Sequence, residues 1–235
     1  MALKLVISDL DGTLVETEDY HRRAYNLLFQ ELGLDISWSK QDYMDRLTVM
    51  GGGKLREVFS WLGKPEKQFA QFKREMYEKK TQLYLQLITS DLDNGTLSLR
   101  PGVARLFAEI EKAGVPLAIG TACEKKAAFE VLDAALGPSF TGSLAILCGG
   151  DDTPYKKPNP AIYLMVAEQC GVDPMDCVVF EDTRHGMQAA LSAGMKCVVT
   201  PSEYAMNHNF SEATMLVKDF ENPNRLNLQD LYDLF

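Results

Sequence analysis

Short apolar runs recur along the chain and alternate with longer amphipathic stretches, and this alternation limits the possible folds more than any other feature. The apolar runs cover residues 3–7, 115–120, 144–148, 177–180 and 196–199. Helical patterns, each followed directly by a glycine, cover residues 102–113, 124–136, 160–170 and 184–193. Such short, uniformly apolar runs are typical of parallel strands covered on both faces. The sequence therefore predicts an α/β fold whose core is a doubly wound, Rossmann-like parallel sheet.

One segment interrupts this alternation. From about Glu16 to Ile88 the chain is rich in helix-forming residues and contains no convincing strand. Turn-forming residues at 91–96 and 100–102 then precede the regular alternation. We therefore expect a helical-bundle cap domain at 16–89, inserted into a core formed by residues 1–15 and 90–235.

The composition narrows the class of partner. The chain has 235 residues, of which 46% are hydrophobic, so it can bury a substantial core. The formal net charge of -9 disfavours binding to nucleic acid or to an anionic membrane surface. An anionic substrate would need a local cation or a basic pocket. We expect a monomer or a weak homodimer.

The cysteines indicate a reducing compartment. There are five, with no CxxC pair among them, and several lie inside apolar runs, where cysteine usually acts as a small buried hydrophobe. Free thiols are therefore expected rather than disulfides or a zinc site. Neither a signal peptide nor a membrane-spanning run is visible, so the expected location is the cytoplasm.

The first apolar run ends in two carboxylates, Asp9 and Asp11, followed by Gly12, which allows a sharp turn. In open α/β sheets the functional crevice lies beyond the carboxyl ends of the strands. Two acidic residues alone could also form a solvated loop, so the rest of the pattern has to decide.

Four motifs in order along the chain resemble those of the haloacid dehalogenase superfamily of phosphotransferases, in the branch with a helical cap after the first motif. The matching residues are Asp9, Asp11 and Thr13, then Thr121, then Lys157 before a proline, and finally Glu181 and Asp182. The resemblance covers almost the whole chain. It implies Mg²⁺-dependent phosphatase chemistry in which Asp9 is the nucleophile and Asp11 the general acid and base.

The resemblance also implies the supporting roles. A phosphate dianion repels an attacking carboxylate, so a cation must lie between them, and Mg²⁺ takes oxygen ligands. Asp9 and Asp182 would supply side-chain oxygens and Asp11 a backbone carbonyl, while Glu181 would act directly or through water. Lys157 would neutralise the transferring phosphoryl group and Thr121 would donate a hydrogen bond to it.

Each of these residues also has an ordinary structural interpretation. Thr121 alone could be a helix N-cap. Lys157 alone could be a surface lysine, and the adjacent Lys156 would exchange roles with it if the register shifted by one. The acidic pair at 181–182 could simply favour the start of a helix. These interpretations must all hold together for the enzyme hypothesis to fail.

The cap contains a Gly-Gly-Gly-Lys-Leu-Arg segment at 51–56. Exposed backbone N–H groups at Gly52 and Gly53, with Lys54 and Arg56 close by, would form an anion site. The segment could also be a flexible turn with solvated basic residues.

The same segment resembles the CbbY-like sugar bisphosphatases, which act on xylulose bisphosphate, and this resemblance implies that it holds a distal phosphate. It also implies that Glu16 and His21 face the active-site opening, although His21 could be a helix residue with its hydrogen bonds satisfied.

The predicted function is hydrolysis of a small phosphorylated sugar, such as xylulose bisphosphate, through an aspartyl phosphate. One alternative is an isomerase of the β-phosphoglucomutase type, in which a sugar hydroxyl replaces water as the acceptor. The other is a non-catalytic phosphoacceptor or metal-binding regulator, against which the retained Asp11 argues.

Overall fold

The computed structural model describes residues 2–47, 49 and 53–235. The chain forms two compact units. The first contains Met1–Glu16 and Leu92–Phe235, and the second contains Thr17–Asp91. Within the described residues, no helix combines the length and apolar character needed to cross a membrane.

A six-stranded sheet lies at the centre of the first unit. Its strands are β1 (Leu5–Ser8), β2 (Leu117–Gly120), β3 (Leu147–Cys148), β4 (Cys177–Glu181), β5 (Lys196–Val199) and β6 (Met215–Leu216). All five neighbouring pairs are parallel, and the strand order is β3-β2-β1-β4-β5-β6. The chain thus winds outward from β1 in both directions. The predicted doubly wound parallel sheet is confirmed, and β6 is a strand that the apolar runs did not indicate.

Six helices of this unit accompany the sheet. They are α5 (Val103–Lys112), α6 (Lys125–Leu136), α7 (Pro138–Ser143), α8 (Ala161–Cys170), α9 (Arg184–Ser192) and α10 (Leu228–Tyr232). Four of them match the amphipathic stretches of the sequence. Helix α8 ends at Gly171, whose φ of 65° is the left-handed conformation that glycine adopts without strain.

The two faces of the sheet are covered by different parts of the chain. Alternate strand residues such as Ile7 and Val179 belong to one apolar cluster with buried residues of α8 and α9. On the neighbouring position of β4, the Phe180 ring packs against Phe220, with centroids 4.8 Å apart. Every residue of β1, β2, β3 and β4 is buried, which explains why these strands do not alternate with exposed polar residues.

All five cysteines are free, as predicted. Cys148, Cys177 and Cys197 are buried in the sheet and in its apolar cluster, where they pack as small hydrophobic side chains.

The regular secondary structure in the described part of the second unit is entirely helical. Its helices are α1 (Glu18–Glu31), α2 (Lys40–Met44), α3 (Leu55–Trp61) and α4 (Phe69–Asp93). Aromatic rings make up much of the packing: Phe29 lies edge-on to Trp38 at 4.7 Å, and Tyr25 lies 5.1 Å from the same ring. The predicted helical insertion after the first strand is thereby confirmed.

The buried core makes a direct stability prediction. Replacing the fully buried Phe180 with alanine should destabilise the protein by about 3–5 kcal/mol, because it removes a large ring and leaves a cavity. The same substitution at Phe129, which is 37% exposed, should cost under about 1 kcal/mol. Urea unfolding monitored by circular dichroism measures both, and equal losses would contradict the packing described here.

Candidate active site

The polar residues of the first, second and fourth motifs lie at the same edge of the sheet, the one formed by the carboxyl ends of its strands. Asp9 directly follows β1, Thr121 directly follows β2, and Glu181 is the last residue of β4. Since β1 pairs with both β2 and β4 in parallel, the carboxyl ends of all three strands are adjacent. Residues far apart in sequence are therefore brought together at the crevice where ligands of such sheets bind.

Lys157 is the hydrogen-bond donor at the centre of this edge. Its ammonium group donates to Asp9 Oδ1 and Glu181 Oε1 at 2.6 Å each, and to the Gly120 carbonyl at 3.1 Å. All three side chains are buried. The three N–H bonds of the ammonium are thus matched by three acceptors, as a buried charge requires.

Glu181 accepts hydrogen bonds at both of its carboxylate oxygens. Oε1 accepts from the hydroxyl of Tyr163 at 2.5 Å in addition to Lys157. Oε2 accepts from the backbone N–H groups of Asp182 and Thr183 at 3.0 and 3.2 Å. A Cβ at Gly186 would overlap this carboxylate, so α9 can pass beside it only with glycine there. The Glu181 carboxylate therefore has a fixed position.

Three carboxylates could hold a metal ion. Asp9, Glu181 and Asp182 each offer an oxygen, and these oxygens lie within 4.8 Å of one another. We call these three residues the acidic cluster. The ammonium of Lys157 neutralises only one of its three negative charges, which leaves a buried excess that a divalent cation would balance. The donor set is all oxygen, as hard divalent cations prefer.

Gly12 allows the turn after the first motif to approach this cluster. Its φ of 81° is in the left-handed region, and a Cβ there would overlap the carboxylate of Asp182. Another residue at this position would push the turn away from the acidic cluster.

The excess negative charge affects the protonation of the cluster. Burial raises the pKa of Asp9 to about 8, and the charges of Glu181 and Asp11 add to this effect against the attraction of Lys157. Burial also opposes ionisation of Glu181, but Lys157 and the other donors hold the pKa of that carboxyl below its usual range. Burial would lower the pKa of Lys157, yet the neighbouring carboxylates outweigh it and raise that pKa. Lys157 and Glu181 thus form the ion pair, and Asp9 is the carboxyl group whose ionisation its buried surroundings oppose.

The remaining motif residues lie close to Asp9 or to its strand edge. Thr13 Oγ1 donates to Asp9 Oδ2 at 3.3 Å. Thr121 is buried, and its hydroxyl accepts from the backbone N–H of Cys123 at 3.1 Å. It does not cap α6, whose N-cap residue is Glu124. Asp11 is half-buried in the turn, where the Gly12 N–H bonds to the Val15 carbonyl at 2.8 Å.

Lys156 and Lys157 have different surroundings. Lys156 donates to the backbone carbonyls of Gly150 and Thr153, within its own loop. Of these two lysines, Lys157 is the one that donates hydrogen bonds to the acidic cluster.

Two predicted substrate-binding residues occupy different units. Glu16 belongs to the first unit, where it pairs with Arg100 Nε at 3.3 Å and accepts from the Glu203 N–H at 3.4 Å. His21 belongs to the second unit, where Nδ1 lies 2.7 Å from Lys80 Nζ and the ring stacks on Tyr84 at 4.0 Å.

The basic residues of the glycine-rich segment bond within the second unit. Lys54 Nζ donates to the Val49 carbonyl at 2.8 Å, and burial lowers the pKa of this lysine. Arg56 pairs with Glu66 at 2.7 Å and lies over the Phe69 ring. Gly53 is in a turn, while Gly52 lies outside the described residues. The structure thus does not direct these two basic groups at a common point.

The sequence patterns did not single out Arg100, which lies in the Arg-Pro-Gly turn. Its guanidinium donates to the backbone carbonyls of Gly12, Thr200, Pro201 and Lys218. The side chain is only 9% exposed. It therefore ties the turn of the first motif to the segments that follow β5 and β6. No local sequence signal could have revealed this, since the carbonyl groups that accept from Arg100 are distant in sequence, as is Glu16, its ion-pair partner.

The family model described as "haloacid dehalogenase-like hydrolase" matches residues 3–194. This chain belongs to that family. The structure brings together the residues that resemble the first, third and fourth motifs of this family, namely Asp9, Lys157, Glu181 and Asp182. Family members generally use a divalent metal, and the acidic cluster supplies suitable ligands.

Similar proteins place the chain in the CbbY-like branch of the haloacid dehalogenase family. It is 36% identical to Protein CbbY of Rhodobacter capsulatus over 223 residues, which cover 93% of this chain and 94% of that protein. The crystal structure of Rhodobacter sphaeroides CbbY in complex with xylulose 1,5-bisphosphate is 30% identical, with a TM-score of 0.82 over 95% of this chain and 97% of that one.

A β-phosphoglucomutase from Clostridium difficile has a TM-score of 0.80 at 22% identity, over 99% of this chain and 96% of that one, and shares the fold. The family and the CbbY relatives identify this chain as a phosphatase.

Arg100 provides a test of how the first-motif turn is held. Arg100→Lys should lower the free energy of unfolding by about 2 kcal/mol, because one ammonium cannot reach all the carbonyls and some stay buried without a donor. Arg225→Lys is the matched control: this arginine is 56% exposed, and its loss should cost under about 0.5 kcal/mol. Urea unfolding of the two variants should show this difference, and a fully stable Arg100→Lys protein would contradict it.

Proposed function

We propose that this protein hydrolyses a small sugar phosphate in a Mg²⁺-dependent reaction that proceeds through a phosphorylated Asp9. The observation that supports this most is the sharing of one buried ammonium, that of Lys157, between Asp9 and Glu181 beside Asp182. An ion pair with only a structural role would need a single carboxylate, whereas the Lys157–Glu181 pair has two further buried carboxylates beside it, those of Asp9 and Asp182.

In the first step, a carboxylate oxygen of Asp9 attacks the phosphorus, and the bond from phosphorus to the sugar oxygen breaks. Asp11 protonates the departing oxygen, so the sugar leaves as an alcohol. Asp11 is half-buried, and its charge acts on Asp9. The first product leaves and Asp9 carries the phosphoryl group.

In the second step, Asp11 takes a proton from water, and the water oxygen attacks the phosphorus of the aspartyl phosphate. The acyl phosphate bond breaks, inorganic phosphate is released, and Asp9 is restored. Lys157 balances the negative charge on the phosphoryl oxygens in both steps, and Thr121 donates a hydrogen bond to them.

Asp9, Asp182 and the carbonyl of Asp11 are the proposed ligands of Mg²⁺, with Glu181 supporting them. When bound, Mg²⁺ neutralises charge on the phosphate so that it can approach a carboxylate. The excess negative charge of the acidic cluster and its all-oxygen donor set support this choice of cofactor.

For the substrate we propose a sugar bisphosphate of the xylulose bisphosphate type. The support is the likeness to CbbY, whose R. sphaeroides form was crystallised with that compound. Lys54, Arg56 and the N–H groups of Gly52 and Gly53 would bind the distal phosphate, while Glu16 and His21 would contact the sugar. Lys54 and Arg56 would exchange their present partners, Val49 and Glu66, for phosphate oxygens.

The nucleophile is tested by Asp9→Asn, which keeps the shape of the side chain but removes its nucleophilic charge. Phosphate release from sugar phosphates should fall at least about a thousandfold. Asp35→Asn, an exposed aspartate of the second unit, should retain full activity. Chelation of divalent cations should abolish wild-type activity and added Mg²⁺ should restore it.

Near-normal turnover by Asp9→Asn, or wild-type turnover without divalent cations, would refute the mechanism. A mutase would instead convert a hexose 1-phosphate to the 6-phosphate when a bisphosphate primer is added. This conversion would be faster than the release of phosphate.

Lys54→Ala tests the distal-phosphate assignment. The variant should raise KM about tenfold for xylulose bisphosphate, because it loses a charged hydrogen bond to the second phosphate. KM for a sugar monophosphate should change less than about twofold, since that substrate has no distal group. Lys67→Ala, an exposed lysine of the same unit, is the control and should leave both KM values unchanged. Equal changes for the two substrates would rule out the assignment.

A further inference from the structure

Tyr163 is a buried residue of α8 that no motif includes. Its hydroxyl donates to Glu181 Oε1 at 2.5 Å, and its ring centroid lies 4.7 Å from Lys157 Nζ. The side chain is 0% exposed. One aromatic residue thus contacts both members of the ion pair that supports Asp9.

The surrounding backbone leaves room for this ring. Gly120 is the last residue of β2, and a Cβ there would lie 3.1 Å from two carbon atoms of the Tyr163 ring. The carbonyl of the same glycine accepts from Lys157. Gly120 therefore contacts both groups: its missing side chain leaves space for the Tyr163 ring, and its carbonyl accepts from the Lys157 ammonium.

The hydrogen bonds of Oε1 show what the hydroxyl can do. Oε1 of Glu181 receives two short bonds, one from Lys157 and one from Tyr163. A second donor on the same oxygen shares its negative charge and weakens its attraction for the first donor. Without the hydroxyl, Lys157 would be drawn more strongly to Glu181 and less to Asp9.

We propose that Tyr163 is a positioning residue that sets how Lys157 divides its hydrogen bonds between Glu181 and Asp9. The inference rests on the proposed function, in which Lys157 must act on the phosphoryl group that Asp9 receives. Tyr163 touches neither the substrate nor the cation in this account. It acts through Glu181 alone.

Tyr163→Phe is the test, because it removes the hydroxyl and keeps the ring that packs against Gly120. We expect kcat to fall about tenfold, as for loss of one hydrogen bond to a charged group, with KM for xylulose bisphosphate within about threefold of the wild type. The Mg²⁺ dissociation constant, measured by calorimetry without substrate, should change less than about twofold. Tyr232→Phe, an exposed tyrosine of α10, should behave as wild type.

A double-mutant cycle with Glu181→Gln tests the route. If Tyr163 acts through the Glu181 carboxylate, its hydroxyl should matter little once that charge is gone. In urea unfolding, the change in the unfolding equilibrium constant of the double variant should then differ by at least about fivefold from the product of the two single changes.

Additive losses in the unfolding cycle would overturn the inference, as would an unchanged kcat for Tyr163→Phe or a loss confined to thermal stability. A failure of the proposed function looks different, because the wild type itself would then release no phosphate in the presence of Mg²⁺. The unfolding cycle still tests the Tyr163–Glu181 link in that case.

Discussion

The Lys157 ammonium group, buried among the carboxylates of Asp9 and Glu181, is the interaction on which the rest of the site depends. Burying several like charges is costly unless each is paired or hydrogen-bonded. Here one ammonium serves two carboxylates, and Asp182 brings a third within 4.8 Å. The site therefore retains excess negative charge, which favours a divalent cation. Burial raises the pKa of Asp9, and the charges of Glu181 and Asp11 add to this effect. A divalent cation bound there would in turn let an acidic protein accept an anionic phosphate ester.

The strand order makes this arrangement possible. Because β1 lies between β2 and β4, their carboxyl ends place Asp9, Thr121 and Glu181 at one edge. Lys157 enters from the segment before α8, and Tyr163 follows in the first turn of that helix. Glycines at 12, 120 and 186 then allow close approach, since a Cβ would overlap a carboxylate at positions 12 and 186 and would crowd the Tyr163 ring at position 120. The sheet fixes the directions, and the absence of these three side chains provides the space.

The sequence predicted the sheet and the motif residues because both leave local signals. Uniform apolar runs revealed five strands, and the order of the four motifs indicated the family. The sequence did not reveal β6, because two residues are too few to form a pattern. It also did not reveal the role of Arg100, because the carbonyl groups that accept its hydrogen bonds are distant in sequence. Tyr163 reads simply as one more apolar position of α8. The choice of Lys157 over Lys156 came from the proline of the family motif, and only the folded chain shows the physical difference between them.

The most direct test of the central claim is thermal unfolding of Asp182→Asn at about pH 9, where Asp9 is ionised because its pKa is about 8. If the acidic cluster carries uncompensated buried charge, removing one carboxylate should raise Tm without metal by about 2–4 °C, the effect of roughly 1 kcal/mol. Mg²⁺ should raise the Tm of the wild type but not that of the variant. A lower Tm for the variant without metal, together with an undiminished response to Mg²⁺, would contradict the account.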